Sequence, residues 1–163
     1  MVKNKANPFF KTFITLCLVL FASCRTLCQN PQYDNLSFGI PGKADTIIDR
    51  PGYALGYSEY HEQAAWVIYI MTQEEATTKE AQRTNKFRSD PQIPTGSATP
   101  GDYRKSGYNR GHLAPATDMT FSKQTMSDSF LMSNMNPQKP AFNRGIWKRL
   151  KSTISINAWM GRL

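Results

Sequence analysis

Residues 108–119 read "YNRGHLAPATDM", and they hold one of the two histidines of the chain, His112, directly behind Arg110 and Gly111. An imidazole titrates near neutral pH and is the commonest general base, which makes His112 a candidate for catalysis. Residue chemistry alone favours the structural reading, since a lone histidine beside an arginine is more often structural than catalytic.

The surrounding charge is uneven. The chain has 163 residues and a formal charge of +8. Residues 31–82 carry three basic and eight acidic side chains, whereas residues 83–163 carry thirteen and four. The half that contains His112 is therefore strongly basic, and a one-sided positive field suits a polyanion, whose bound counterions are released on contact. Ordinary solubility accounts for a net charge but not for this asymmetry.

Upstream, Lys3, Lys5 and Lys11 precede the apolar run "FITLCLVLFASC" at residues 13–24, a pattern expected of an export signal over residues 1–30. The run is shorter than the roughly 20 apolar residues needed to span a bilayer, so no stable membrane span is expected. "FASC" also fits a lipoprotein site with Cys24 acylated. Cys17, Cys24 and Cys28 all fall in this leader, so the remaining domain, 31–163, is no disulfide scaffold and must be held by packing. A chain of this length supports one core.

Between leader and histidine, "TIID" and "YALGYS" read as strands, and "AAWVIYIMT" as the central buried strand. His61, among charged neighbours in "EYHEQ", reads as a loop or strand-edge residue. "QEEATTKEAQRTNKF" supports one or two helical turns. Residues 88–103, with three prolines and two glycines, form a loop of the length that is usually functional or mobile. Beyond the histidine, a short helix is expected over Ser122–Ser129, then a strand in "FLMSNMNP" closed by Pro137. A second helix starts near Asn143, with Trp147, Leu150 and Ile154 on one face, and its pattern decays after Lys151.

Phosphodiester hydrolysis needs a base for water, a cation for the charge that develops on phosphorus, and a donor for a nonbridging oxygen. His112, a hard metal ion and an arginine can supply them. Asn134 and Asn143 offer neutral oxygen, suited to hydrated Mg2+, and there is no cysteine or histidine cluster for zinc.

"SGYNRGHLAPATDM", followed by "SFLMSNMNPQKPAFNRGIWKRL", resembles the DNA/RNA non-specific endonuclease family, ββα-metal nucleases of the endonuclease G and Serratia nuclease type. "RPGYALGYSEYHEQAAWVIYIMT" and "FRSDPQIPTGSATPGDY" resemble the family's N-terminal region, so the likeness runs from about Gly39 to Leu150. It implies an α+β, ββα-metal (His-Me finger) fold with a central antiparallel sheet. It also implies metal-dependent cleavage of DNA and RNA that leaves 5′-phosphate and 3′-hydroxyl ends. The family's Asp-Arg-Gly-His falls on Asn109, Arg110, Gly111 and His112. The resemblance makes His112 the general base and Asn143 the Mg2+ ligand, with Mn2+ an alternative. Asn134 would orient the histidine or the substrate, Arg110 would contact phosphate or support the site, and Arg83 would be a remote active-site arginine.

Two positions depart from the family pattern. Asn109 replaces an aspartate, and Lys151 stands where a glutamate would reach the metal through water. After Leu150 the likeness stops, as expected of a frame change or a truncated copy that lacks the C-terminal part, and the sequence leaves the activity of the shortened chain open. The rival expectations are a non-catalytic polyanion-binding domain and a structural lipoprotein anchored through Cys24; the oligomeric state is left open.

Overall fold

The computed structural model describes residues 34–160, so the leader, its three cysteines and the last three residues lie outside the described part. Three antiparallel strands come first: β1 (Thr46–Asp49), β2 (Ala54–Ser58) and β3 (Gln63–Ile68), in the order β1-β2-β3. The central strand is therefore β2, not the "AAWVIYIMT" segment that its aromatic and β-branched content favours. The reason is burial: Ala54, Leu55 and Tyr57 are inaccessible, while Ala65 on β3 faces solvent. Gly56 lets this pairing close, because a Cβ there would sit 2.2 Å from Cε2 of Trp66. Trp66 in turn donates its indole N–H to the carbonyl of Gly42 at 3.0 Å.

The second sheet pairs β4 (Asn109–His112) with β5 (Met135–Gln138), antiparallel, His112 opposite Met135 and Gly111 opposite Asn136. The expected strand in "FLMSNMNP" is shifted. Residues Met132–Asn134 form a 3-10 turn, and the strand begins only at Met135, running through Pro137 rather than ending there. Pro137 is exposed, where a missing ladder donor costs little. Gly111 is required, since a Cβ on it would lie 2.1 Å from Cδ of Gln138.

Four helices complete the described residues: α1 (Gln73–Thr77), α2 (Lys123–Asp128), α3 (Pro140–Arg144) and α4 (Ile146–Trp159). Each start has a local cause. Thr72 and Glu75 form a reciprocal capping box before α1, and Ser122 accepts from the amide of Thr125 before α2. Pro140 opens α3 three residues earlier than Asn143, because proline pre-sets the helical φ and its absent N–H is not missed in the first turn. Gly145 breaks the helix, and α4 then continues past Lys151 to Trp159.

The face of α4 differs from expectation. Trp147, Lys151 and Ser155 turn toward the body, whereas Ile146, Leu150 and Ile154 are exposed, with Leu150 48% accessible. Leu150 is thus no core anchor. The inward stripe is set by polar bonds: Trp147 Nε1 donates to the His112 carbonyl at 3.0 Å, and the Ser155 hydroxyl donates to Asp118 at 2.5 Å.

One core cluster joins Tyr53, Leu55, Tyr57, Ile93, Ala114 and Met119, and a second joins Ala116, Met126 and Phe130, with Phe87 against it. The long loop at 88–103 is tied to this core rather than loose. Ile93 is buried, Arg88 bridges to Leu131, and Asp90 forms a buried ion pair with Arg50 at 2.5 Å while also accepting from the Ser133 hydroxyl.

Candidate active site

His112 ends β4, and neighbours on three sides fix it. The edge of its ring meets Phe130 at 5.1 Å and Phe87 at 5.7 Å between centroids. Its carbonyl is held by Trp147. Behind it, the amide of Leu113 donates to the Asn134 carbonyl at 3.0 Å, and the amide of Ala114 donates to Asn134 Oδ1 at 2.8 Å. Asn134 Nδ2 donates to the carbonyls of Ala114 and Ser129 at 2.9 and 3.0 Å.

Asn134 has 0% exposure and spends its amide on backbone, so it is not a substrate contact. It holds the turn that carries the histidine. A short polar side chain with both a donor and an acceptor is what two strands leaving a common turn require.

The imidazole is 6% exposed, and its Nε2 has no hydrogen-bond partner. Burial lowers its pKa from 6.5 to about 3, and the positive charges of Arg83, Lys151 and Arg110 add to that shift. His112 is therefore neutral at physiological pH, the form that accepts a proton. The three cations sit on the aromatic rings around it. The Arg83 guanidinium lies 5.1 Å from the Phe130 ring centre, Arg110 lies 4.0 Å from Phe87, and Lys151 lies 5.8 Å from Trp147. Among the described residues none of the three forms an ion pair.

Asn143 lies on α3 and lines an open cleft of about 450 Å³ with Asn109, Arg110, Arg104, Tyr103, Tyr108, Pro100 and Phe87. His112 does not itself line this cleft. Phe87 belongs to both, forming the cleft wall on one side and touching the imidazole on the other. The strand alternation puts Arg110 on the histidine's face and Asn109 on the opposite one. The structure thus brings His112, Arg110 and Arg83 around one pair of phenylalanines and sets Asn143 beside Arg110. Sequence reasoning missed Phe87, Phe130 and the indole of Trp147 as the walls of the histidine seat. Nothing in their local spacing marks them, since they come from three separate segments.

The sequence profile described as DNA/RNA non-specific endonuclease matches residues 32–154. The chain belongs to this family. Nuclease C1 of Cunninghamella echinulata var. echinulata is 35% identical over 120 residues, which cover 71% of this chain and 48% of that protein. The mitochondrial nuclease of Saccharomyces cerevisiae is 38% identical over 117 residues, covering 70% and 36%. Human mitochondrial endonuclease G is 36% identical over 115 residues, covering 70% and 38%. A chain in a crystal structure of the EndoG/EndoGI complex superposes with a TM-score of 0.69 at 28% identity, covering 77% of this chain and 52% of that one. The α+β fold is shared with that neighbour. The chain spans about half or less of the length of these relatives.

Membership in a family of ββα-metal nucleases implies a divalent metal and a nucleic-acid substrate. Among the described residues no cluster of three or more His, Cys, Asp or Glu side chains could cage an ion. The donor set that remains, the Asn143 amide oxygen on an open polar cleft, fits a hard cation that keeps most of its water. No helix among the described residues is long and apolar enough to cross a membrane.

Proposed function

We propose that the chain carries the histidine and metal-ligand part of an endonuclease that hydrolyses phosphodiester bonds of DNA and RNA without sequence preference. The observation that carries this reading is the seat of His112, a neutral, buried imidazole whose surrounding rings carry three cations that form no ion pair among the described residues, set behind the Phe87 wall of the Asn143 cleft. His112 accepts the proton of the attacking water. Arg110 and Arg83 contact nonbridging phosphate oxygens, and Asn134 keeps the histidine strand in register through backbone bonds. Asn143 would hold Mg2+, or Mn2+ in its place, and the ion would supply charge stabilisation at the phosphate. Contacts to phosphate rather than to base edges carry no sequence information, hence the lack of preference. Export through the leader, with Cys24 the point of attachment if the protein is acylated, completes the reading. N-terminal sequencing of the mature protein and labelled-palmitate uptake check it.

Plasmid nicking in Mg2+ against EDTA tests the activity. Metal-dependent nicking that disappears in both His112→Ala and Asn143→Ala supports the enzyme. Among the described residues no carboxylate lines the cleft of Asn143, which favours a second reading, a polyanion-binding domain without cleavage, and salt-sensitive binding with no nicking in any metal would establish that one instead.

A further inference from the structure

Two tyrosines separate the cleft of Asn143 from a second one. Tyr103 and Tyr108 line both, and the further cleft, of about 410 Å³, is completed by residues that include His61, Glu62 and Asp102. The turn between the tyrosines sets their positions. The Ser106 hydroxyl donates to the Tyr103 carbonyl at 2.9 Å and accepts from the Tyr108 amide at 3.1 Å, and Gly107 takes a left-handed φ of 80° that a side chain would strain. Tyr103 is also pinned at its far end, where its hydroxyl donates to the Met135 carbonyl at 3.2 Å. The two sides of this tyrosine ridge differ in charge. Arg104 and Arg110 line the Asn143 side. Among the described residues no lysine or arginine lines the other, which carries two exposed carboxylates instead: Glu62, accepting from the Tyr57 hydroxyl at 3.2 Å, and Asp102, accepting from the amide and hydroxyl of Thr99 at 2.6 and 3.0 Å. Those carboxylates repel a phosphate and leave an uncharged aromatic ring unopposed.

We propose that the second cleft takes a nucleobase of the strand whose phosphate enters the Asn143 cleft, held by stacking on Tyr103 and Tyr108. The ligand class rests on the endonuclease reading; the site itself is one that no phosphate fills. The ridge then sorts the substrate, backbone to its cationic side and base to its acidic side. Stacking uses the ring face, which every base has, so this site adds affinity without adding sequence preference.

The two histidines make the test specific, since His61 lines the second cleft and His112 is seated behind Phe87. Adenosine, which has a base and no phosphate, is titrated into the full chain in EDTA at constant pH, and the imidazole protons are followed by NMR. The His61 signal is expected to shift saturably while that of His112 stays in place. Tyr108→Phe should bind adenosine within about twofold of wild type and Tyr108→Leu about tenfold more weakly, the effect of one lost ring, with the unmoved His112 signal reporting an intact fold. Tyr60 is exposed and touches His61 but does not line the cleft, so Tyr60→Leu controls for stacking on the hairpin tip and should change affinity less than about twofold. No saturable shift, adenosine bound as tightly by Tyr108→Leu as by wild type, or an equal loss in Tyr60→Leu overturns the proposal. Inorganic phosphate that displaces adenosine at equal ionic strength reassigns the cleft to an anion, and acetylarginine amide that displaces it reassigns the cleft to a basic side chain of a protein partner; either overturns it as well. Failure of plasmid nicking with the Tyr108 dependence intact removes only the enzyme reading, and nicking in Mg2+ with no adenosine shift removes only this one.

Discussion

Acidifying the protein from pH 7.5 to pH 5 should destabilise it by about 2 kcal/mol through His112 alone. In the unfolded chain the imidazole titrates near 6.5, whereas in the fold its pKa is lowered to about 3, chiefly by burial between Phe87 and Phe130 and further by Arg83, Lys151 and Arg110. Because the folded value is the depressed one, the unfolded state takes up the proton first. The contribution is therefore whole above pH 6.5 and is lost as the pH falls from there toward about 3. At pH 5 the unfolded imidazole is almost fully protonated and the folded one is not, and the logarithm of that ratio gives about 2 kcal/mol. Urea titrations of wild type and His112→Gln at the two pH values measure it, since other titrating groups cancel in the difference of differences. A pH dependence that is the same in both proteins to within about 0.5 kcal/mol would refute a neutral, buried imidazole.

Three further outcomes follow from the same structure. Asn134→Ala should cost about 3–5 kcal/mol in urea unfolding, because the amide of Ala114 and the carbonyls of Ala114 and Ser129 lose their partners in the interior; a loss below about 1 kcal/mol would show that water replaces the side chain. Asp90→Ala leaves Arg50 buried without its carboxylate and frees the Ser133 hydroxyl, so about 3–5 kcal/mol should be lost, and an unchanged urea midpoint would deny that the 88–103 loop is anchored there. Leu150→Gln and Ile154→Gln should each leave stability within about 0.5 kcal/mol of wild type, a larger loss in thermal unfolding meaning that this face of α4 is packed.

What was legible in the sequence follows from how local each cause is. The strands at 46–49 and 54–58 and the helix after Ser122 are specified by alternation and by a capping hydroxyl within a few residues, so they could be read directly. The centre of the sheet could not. Which strand lies between two others depends on pairing partners, and the most apolar segment turned out to be flanked on one side only by β2. The strand at Pro137 was misplaced for a related reason: proline closes a strand only where its missing N–H would have been used, and on an exposed position it is not. At the site, the ordered motif put forward His112, Arg110 and Asn143, and the structure sets Arg110 and Asn143 on one cleft with His112 behind the shared Phe87. The turn-clamping bonds of Asn134 were not legible, because an asparagine that faces solvent and one that clamps a turn are the same letter, and only its complete burial separates them.

The seat of His112 and the charge around it have independent origins. Position is fixed by bonds to backbone, from the Trp147 indole and the Asn134 amide, and by two phenylalanine edges, none of which depends on a charged group. Charge comes from Arg83, Arg110 and Lys151, whose heads rest on those rings and could be exchanged without moving the imidazole. Position and charge at His112 can therefore be perturbed separately: substitutions at Arg83, Arg110 or Lys151 change the potential at the ring without removing a bond that seats it.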